Sequence, residues 1–297
     1  MRFGAGTGPL AGWLTGAQPA ASFTELRLAA IRRLVEGYGL AAVEISLDQA
    51  VIFPQAANDG FFSGVARLQQ ELGFSCSVHL PFLWLDLSSG NERVRQASVD
   101  TIRQAIALVQ AQPIRVSGYV LHLCGSATQG IASRPGNSLR RDALLDVIRA
   151  QASRSLDQVA TLVPRRDLCV ETLEAPAWDL FEPTVEEHGV SLCLDVGHLV
   201  WLDLDAKAFY RQHAQRIREI HLHDVRTVGE GELRQFRDHL ALGLGGLDYA
   251  GFLRLLEAED FQGTVILEVH TKEALDRSLA AVRPFLDRHT RLQGDSS

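Results

Sequence analysis

A chain of 297 residues that is 46% hydrophobic and 22% charged is long and apolar enough to bury a full core, which excludes a disordered, collagen-like or disulfide-scaffold protein. Its formal net charge of −7 gives no global attraction to phosphate backbones or anionic lipid, although a local basic groove stays open. It contains no run of about 18 apolar residues, so no membrane-spanning helix is expected.

Only two of the 29 basic residues are lysines, Lys207 and Lys272, which leaves little for Schiff-base chemistry. Cys76, Cys124, Cys169 and Cys193 form no CxxC pair and sit in apolar runs, as expected for reduced, packed thiols in a cytoplasmic protein. The opening MRFGAGTGPLAGWLTG carries one Arg and is broken by Gly and Pro, a poor fit to a secretory leader.

In chain order, short β-rich runs alternate with amphipathic helical stretches. The strands are expected at 2–5, 42–47, 75–80, 117–123, 168–172, 191–195, 219–223 and 264–269. Between them, segments such as TELRLAAIRRLVEG, ERVRQASVDTIRQAIALVQA and YAGFLRLLEAED repeat their apolar residues every three or four positions, so each can lay one stripe on a sheet. Eight such pairs favour an α/β fold of one domain, a closed (β/α)8 TIM barrel over residues 1–290, with 291–297 as a frayed tail. An open dinucleotide-binding sheet would need a glycine-rich first turn. GAGTG is the sole candidate for one, and it lacks the GxGxxG spacing.

A barrel builds its active site at the carboxyl ends of its strands, and these ends are rich in ligating residues. Strand three ends in SVHLPF with His79, strand four in YVLHL with His122, strand five in LCVET with Glu171, and strand six in CLDVGH with Asp195 and His198. Strand seven ends in IHLHD with His221, His223 and Asp224, and strand eight in ILEVH with Glu268 and His270. Side chains two apart share a strand face, so Cys169 with Glu171, Cys193 with Asp195, and His221 with His223 point inward together. Carboxylates crowded into a partly desolvated mouth repel one another unless cations neutralise them. Mixed imidazole and carboxylate donors suit Zn²⁺, Mn²⁺, Fe²⁺ or Co²⁺.

Each residue alone has a simpler explanation. A strand-end His is commonly a hydrogen-bonded structural group, Asp195 can cap a helix, and Glu268 can pair with an arginine. The set together favours metal. His223, Asp224 and His270 at the edge of the pattern are expected to orient ligands. Glu44 and Asp48 face inward with no assigned role, and Trp13, Trp84 and Trp201 either wall a site for a ring-bearing ligand or cap the barrel.

At these residues the sequence resembles the xylose isomerase-like barrel superfamily, which includes endonuclease IV and many sugar isomerases and epimerases. The likeness is carried by HLPFLWLDLSSGNERVRQASV, CLDVGHL, IHLHD, and HLALGLGGLDYAGFLRLL leading to GTVILEVH. The endonuclease IV pattern implies one metal on His79, His122 and Glu171, and a second on Glu171 as bridge with Asp195, His221 and Glu268. It implies a third on His198 and His239, where Arg237 stands in place of that family's aspartate and Asp238 is out of register. A narrower likeness, through SVHLPFLWLDL, YVLHL, CVETLE, LDVGHL, RDHLAL and LEVHTKEALDRSLA, is to bacterial cobamide-remodelling phosphodiesterases.

Two chemistries follow. A hydrolase of a phosphodiester in a small substrate uses both ligand sets, with two or three divalent ions, Zn or Mn, activating a water. Its catalytic residues are Glu171, Glu268, His198 and His239, the two histidines stabilising the leaving oxygen. A sugar isomerase or epimerase needs one ion, on Glu171, Asp195, His221 and Glu268, and leaves His79 and His122 without a necessary task. The acidic charge argues for a small-molecule substrate rather than nucleic acid.

Overall fold

The structure, a computed structural model, describes residues 1–7, 23–53, 57–132, 139–174, 178–228 and 235–294. Eight parallel strands close into a barrel: β1 (Arg2–Gly6), β2 (Ala42–Ser46), β3 (Ser75–His79), β4 (Gly118–Leu121), β5 (Leu168–Glu171), β6 (Ser191–Asp195), β7 (Ile217–Leu222) and β10 (Thr264–Leu267). Neighbours in sequence are neighbours in the sheet, and β10 closes the ring between β7 and β1. The expected strands fall on these eight, each within two residues at either end. Two further strands, β8 (Asp224–Val228) and β9 (Gln235–Leu240), pair antiparallel as a separate hairpin between β7 and β10. The sequence reading did not anticipate them.

The strands are buried on both faces, as a barrel wrapped in helices requires. In β6 all five residues of SLCLD are buried. Leu192 and Leu194 join the large core between sheet and helices, while Cys193 packs inside the barrel with Val120 and Cys169. All four cysteines are free and buried. Burial pushes the Cys124 thiol up to about 12 and raises Cys193 well above the ordinary range. Gly4 is needed where β1 meets β2, because a Cβ there would lie 2.7 Å from the Ala42 carbonyl oxygen.

The helix Asp59–Leu72 is capped by Asn58, whose side chain accepts the Phe61 N–H at 2.9 Å, and it ends on Gly73 at φ 72°. It buries Phe61, Phe62, Val65 and Leu68 against the barrel wall. Each side chain of this kind contributes about 1.5–3 kcal/mol by leaving water. The helix Glu92–Gln110 buries Val99, Ile102, Ile106 and Val109 in the same way. The last helix, Lys272–Gly294, takes in the first part of the stretch read as a tail. No described helix is long and apolar enough to cross a membrane.

Candidate metal centre

The barrel closes so that its candidate ligands end their strands at one rim. His79, Glu171 and Asp195 are the last residues of β3, β5 and β6, and His221 is the last but one of β7. His122 and Glu268 directly follow β4 and β10. Register carries them round the ring, with His79 beside Val120, Glu171 beside Cys193, and Asp195 beside His221. Donor atoms of Glu171, Asp195, His221 and Glu268 all lie within 4.8 Å of one another, as do those of His79, His122 and Glu171. Glu171 belongs to both groups. Its Oε2 is 3.2 Å from His79 Nε2 and 2.8 Å from His122 Nε2, whereas its Oε1 is 3.5 Å from His221 Nδ1. One carboxylate therefore faces two ligand sets, one with each oxygen, beside a cavity of about 360 Å³.

Hydrogen bonds fix which nitrogen each ring presents. His79 Nδ1 donates to the Leu80 carbonyl at 2.9 Å, which leaves Nε2 toward Glu171. His198 Nδ1 donates to the Thr172 carbonyl at 2.9 Å, which leaves Nε2 toward Glu174 Oε2, 3.6 Å away. His221 Nε2 donates to Glu44 Oε2 at 3.1 Å, which turns Nδ1 toward Glu171 and Glu268. His221 Nδ1 and Glu268 Oε2 stand 3.1 Å apart, yet neither has a hydrogen-bond partner although both are buried. Orphaned buried polar atoms are costly. Two donors about 2.1 Å from a common ion lie roughly 3.0–3.4 Å apart, so this pair has the spacing of an edge of a coordination shell. The residues present fit a divalent ion.

Protons balance the charge where no ion is bound. Burial opposes a charge on His79, but its hydrogen bond to Glu171 and the field of Glu44 lift it to about 10. Burial likewise opposes a charge on His221, and Cys193, Glu268, Glu44 and Glu171 hold it well above the usual imidazole range. Against burial, His122 and His221 hold Glu171 well below the usual carboxylate range. His221 and His239 do the same for Glu268. A site of this kind would release protons on taking up a metal.

Asp195 serves twice. Its Oδ1 caps the helix Val196–Trp201 by accepting the His198 N–H at 2.7 Å, while its carboxylate also groups with the donors of Glu171, His221 and Glu268. His223 orients it. The His239 N–H donates to His223 Nδ1 at 3.0 Å, so the ring carries its proton on Nε2, which reaches both Asp195 oxygens at 3.2 Å. Asp224 does not orient a ligand. Its oxygens are taken by the amides of Val225, Gly243 and Leu247, and it pins the loop that leaves the hairpin. His270 stacks on His239 at 4.3 Å.

His239 arrives on the hairpin with φ 49°, a left-handed conformation uncommon outside glycine. Its Nε2 is 3.7 Å from Glu268, and its donor atom groups with those of His198 and His223 within 4.8 Å. Burial opposes its charge, but the neighbouring carboxylates of Asp238 and Glu268 raise it to about 11. Arg237 opposes Arg226 across the hairpin, while Asp238 lines the cavity, its Oδ1 3.3 Å from His239 Nδ1. Asp238 thus supports His239 but is not among the grouped donors. Of the three tryptophans considered, Trp84 lines the cavity, Trp201 ends the helix after β6 away from the described lining, and Trp13 lies outside the described residues.

Sequence reasoning leaves Glu44 without a task and does not single out Glu219. Both sit in the barrel floor beneath His221, Glu219 held by Ser77 Oγ at 2.9 Å. Burial raises the Glu219 carboxyl to about 7.

A closed (β/α)8 barrel with acids and imidazoles gathered at the carboxyl rim defines the class. Residues 32–288 match the family described as xylose isomerase-like TIM barrel, and the chain belongs to it. The chain is 24% identical over 251 residues to the uncharacterized protein MJ1614 of Methanocaldococcus jannaschii, covering 80% of this chain and 88% of that one. Three solved structures share the fold. A D-tagatose 3-epimerase-like protein has TM-score 0.68 and 17% identity, covering 98% of this chain and 99% of its own. An L-ribulose 3-epimerase has TM-score 0.65 and 18% identity, covering 100% and 98%. The 3-keto-D-glucoside 4-epimerase YcjR of E. coli has TM-score 0.62 and 14% identity, covering 97% and 99%. These names agree with the sugar isomerase or epimerase alternative, and none supports phosphodiester cleavage or the narrower cobamide likeness.

Proposed function

We propose that this chain is a divalent-metal enzyme that hydrolyses a phosphodiester in a small substrate. The observation that carries the reading is the double use of Glu171, which turns one oxygen to His79 and His122 and the other to His221. A mononuclear isomerase has no need of the first pair. His79, His122 and Glu171 would hold one ion, and Glu171, Asp195, His221 and Glu268 a second. Bound there, two ions would supply a water of lowered pKa and would neutralise the oxygens of an in-line displacement. The chain's own residues do the rest. Glu44 and His223 hold His221 and Asp195 in their orientations. His239, its Nε2 3.7 Å from Glu268, is placed to give a proton to the departing oxygen, with His198 Nε2 beside the same cavity.

A second reading is favoured by the epimerase names of the structural neighbours. One ion on Glu171, Asp195, His221 and Glu268 would polarise a ketose carbonyl, and Glu171 and Glu268 would exchange the proton at the adjacent carbon. One experiment separates the two: metal content by mass spectrometry, paired with turnover of a bis-aryl phosphodiester and of a ketose panel in Mn²⁺ or Zn²⁺. Hydrolysis requires at least two equivalents of metal and release of the aryl alcohol. A single equivalent with ketose interconversion instead establishes the epimerase.

A further inference from the structure

Three consecutive apolar side chains, Phe82, Leu83 and Trp84, follow β3 and line the cavity that also holds Glu171, His122 and His239. They are used differently. The Phe82 ring stacks on the His122 imidazole with centroids 4.4 Å apart and planes at 28°, so it supports a ligand. Trp84 is 80% exposed and touches the cavity from its lip. Its φ is 63°, the left-handed region that a bulky aromatic side chain strongly disfavours.

The surroundings impose this conformation. The Leu85 N–H donates to the Phe82 carbonyl at 3.1 Å, closing a turn in which Trp84 takes the third position, where glycine is the ordinary occupant at positive φ. Asp48 holds the turn from β2's side, its Oδ1 accepting the N–H groups of Phe82 and Leu83 at 2.9 Å each. The position thus carries two unfavourable features for the free protein, a strained backbone and an indole left in water. Both become intelligible if the indole face is covered during the reaction.

We propose that Trp84 is a stacking platform, against which the flat, weakly hydrated face of a ring carried by the substrate lies while the reacting group sits at Glu171 and His122. Asp48 is its positioning residue. The placement of the reacting group rests on the function proposed above, but ring binding is measurable without turnover. The shared chemistry is a ring face with little hydration, presented either by an aromatic ring or by the C–H face of a sugar.

The test is calorimetric titration of the metal-loaded full chain with phenylphosphonate, with methylphosphonate, which has the same anion and no ring, and with D-fructose. The expected result is about tenfold tighter binding of phenylphosphonate than of methylphosphonate. Trp84→Phe keeps that preference, and Trp84→Gly abolishes it with methylphosphonate affinity unchanged. Glycine suits the observed φ, so the Trp84→Gly protein is expected to fold at least as well as the parent. Loss of fructose affinity in Trp84→Gly, with no phenyl preference in the parent, upholds the platform and assigns the ring to a sugar. Unchanged affinity for both ring probes in Trp84→Gly overturns the proposal. Failure of the parent to cleave any phosphodiester overturns the hydrolytic reading and leaves these binding results standing.

Discussion

Glu44 and His221, 177 positions apart in the chain, meet in the barrel floor, where Glu44 Oε2 accepts the Nε2 proton of His221 at 3.1 Å. The bond fixes the tautomer that turns Nδ1 upward to Glu268. A carboxylate behind a ligating imidazole raises its basicity and locks its orientation, and its loss ordinarily weakens metal binding about 10–100-fold. Glu44→Ala is therefore expected to weaken the ion held by Glu171, Asp195, His221 and Glu268 by about that factor. Glu44→Gln, which still offers a carbonyl oxygen, should lose less. Competition with a fluorescent chelator measures both. Equal affinity in the parent and Glu44→Ala would show that His221 does not depend on its partner.

His79 and His122 carry the difference between one ion and two. With either changed to alanine, the metal content is expected to drop by about one equivalent while the ion on the other ligands stays. Phosphodiester turnover should fall by at least about 100-fold, since loss of a ligand exceeds loss of its supporting shell. Plasma mass spectrometry and a chromogenic phosphodiester assay read the two effects. Retention of both metal and turnover in His79→Ala and His122→Ala would remove the dinuclear arrangement.

Much of this site is readable from strand ends alone. Once β3 to β7 and β10 are placed, barrel geometry sends His79, His122, Glu171, Asp195, His221 and Glu268 to one rim, whatever the spacing between them in sequence. The hairpin of β8 and β9 was not readable in the same way. It pairs with no barrel strand, and its charged run HDVRT and QFRDHL lacks the apolar alternation that marked the others. Glu44 carried no local signal because its meaning depends on a ring contributed from β7. Asp224 misled in the opposite direction. Its place in IHLHD resembles that of a ligand orienter, yet three backbone amides consume its oxygens.

Proton exchange gives the site a characteristic pH response. The His79 pKa is raised from 6.5 to about 10 in the folded protein, so its contribution to metal-free stability is complete below pH 6.5 and is lost as pH rises toward 10. The Glu171 pKa is lowered from 4.5, so its contribution is complete above pH 4.5 and is lost as pH falls through its depressed value. The metal-free centre is thus most stabilising between pH 4.5 and 6.5. Metal must displace these protons, so its apparent affinity is expected to climb about tenfold per pH unit for each proton released. Melting curves with and without a chelator, taken from pH 5 to 9, should diverge as pH rises. A constant gap between them would contradict proton exchange.

The contact between Gly197 and His223 allows the role of Asp195 to be tested without touching a ligand. A Cβ at position 197 would lie 2.0 Å from a ring carbon of His223, so Gly197→Ala must push the imidazole away from Asp195. Overpacking of this kind costs about 1–3 kcal/mol, and Asp195 loses the donor that holds both its oxygens at 3.2 Å. Gly197→Ala is expected to lower both the melting temperature and the metal affinity. His223→Ala removes the ring and makes room for the new methyl group. In the double variant Gly197→Ala, His223→Ala, the steric part of the stability loss should be relieved relative to Gly197→Ala alone, whereas metal affinity should stay low, because nothing replaces the Nε2 donor. A double-mutant cycle on both quantities measures this split. Full metal affinity in His223→Ala would mean that Asp195 is held by its helix-capping bond to the His198 amide alone.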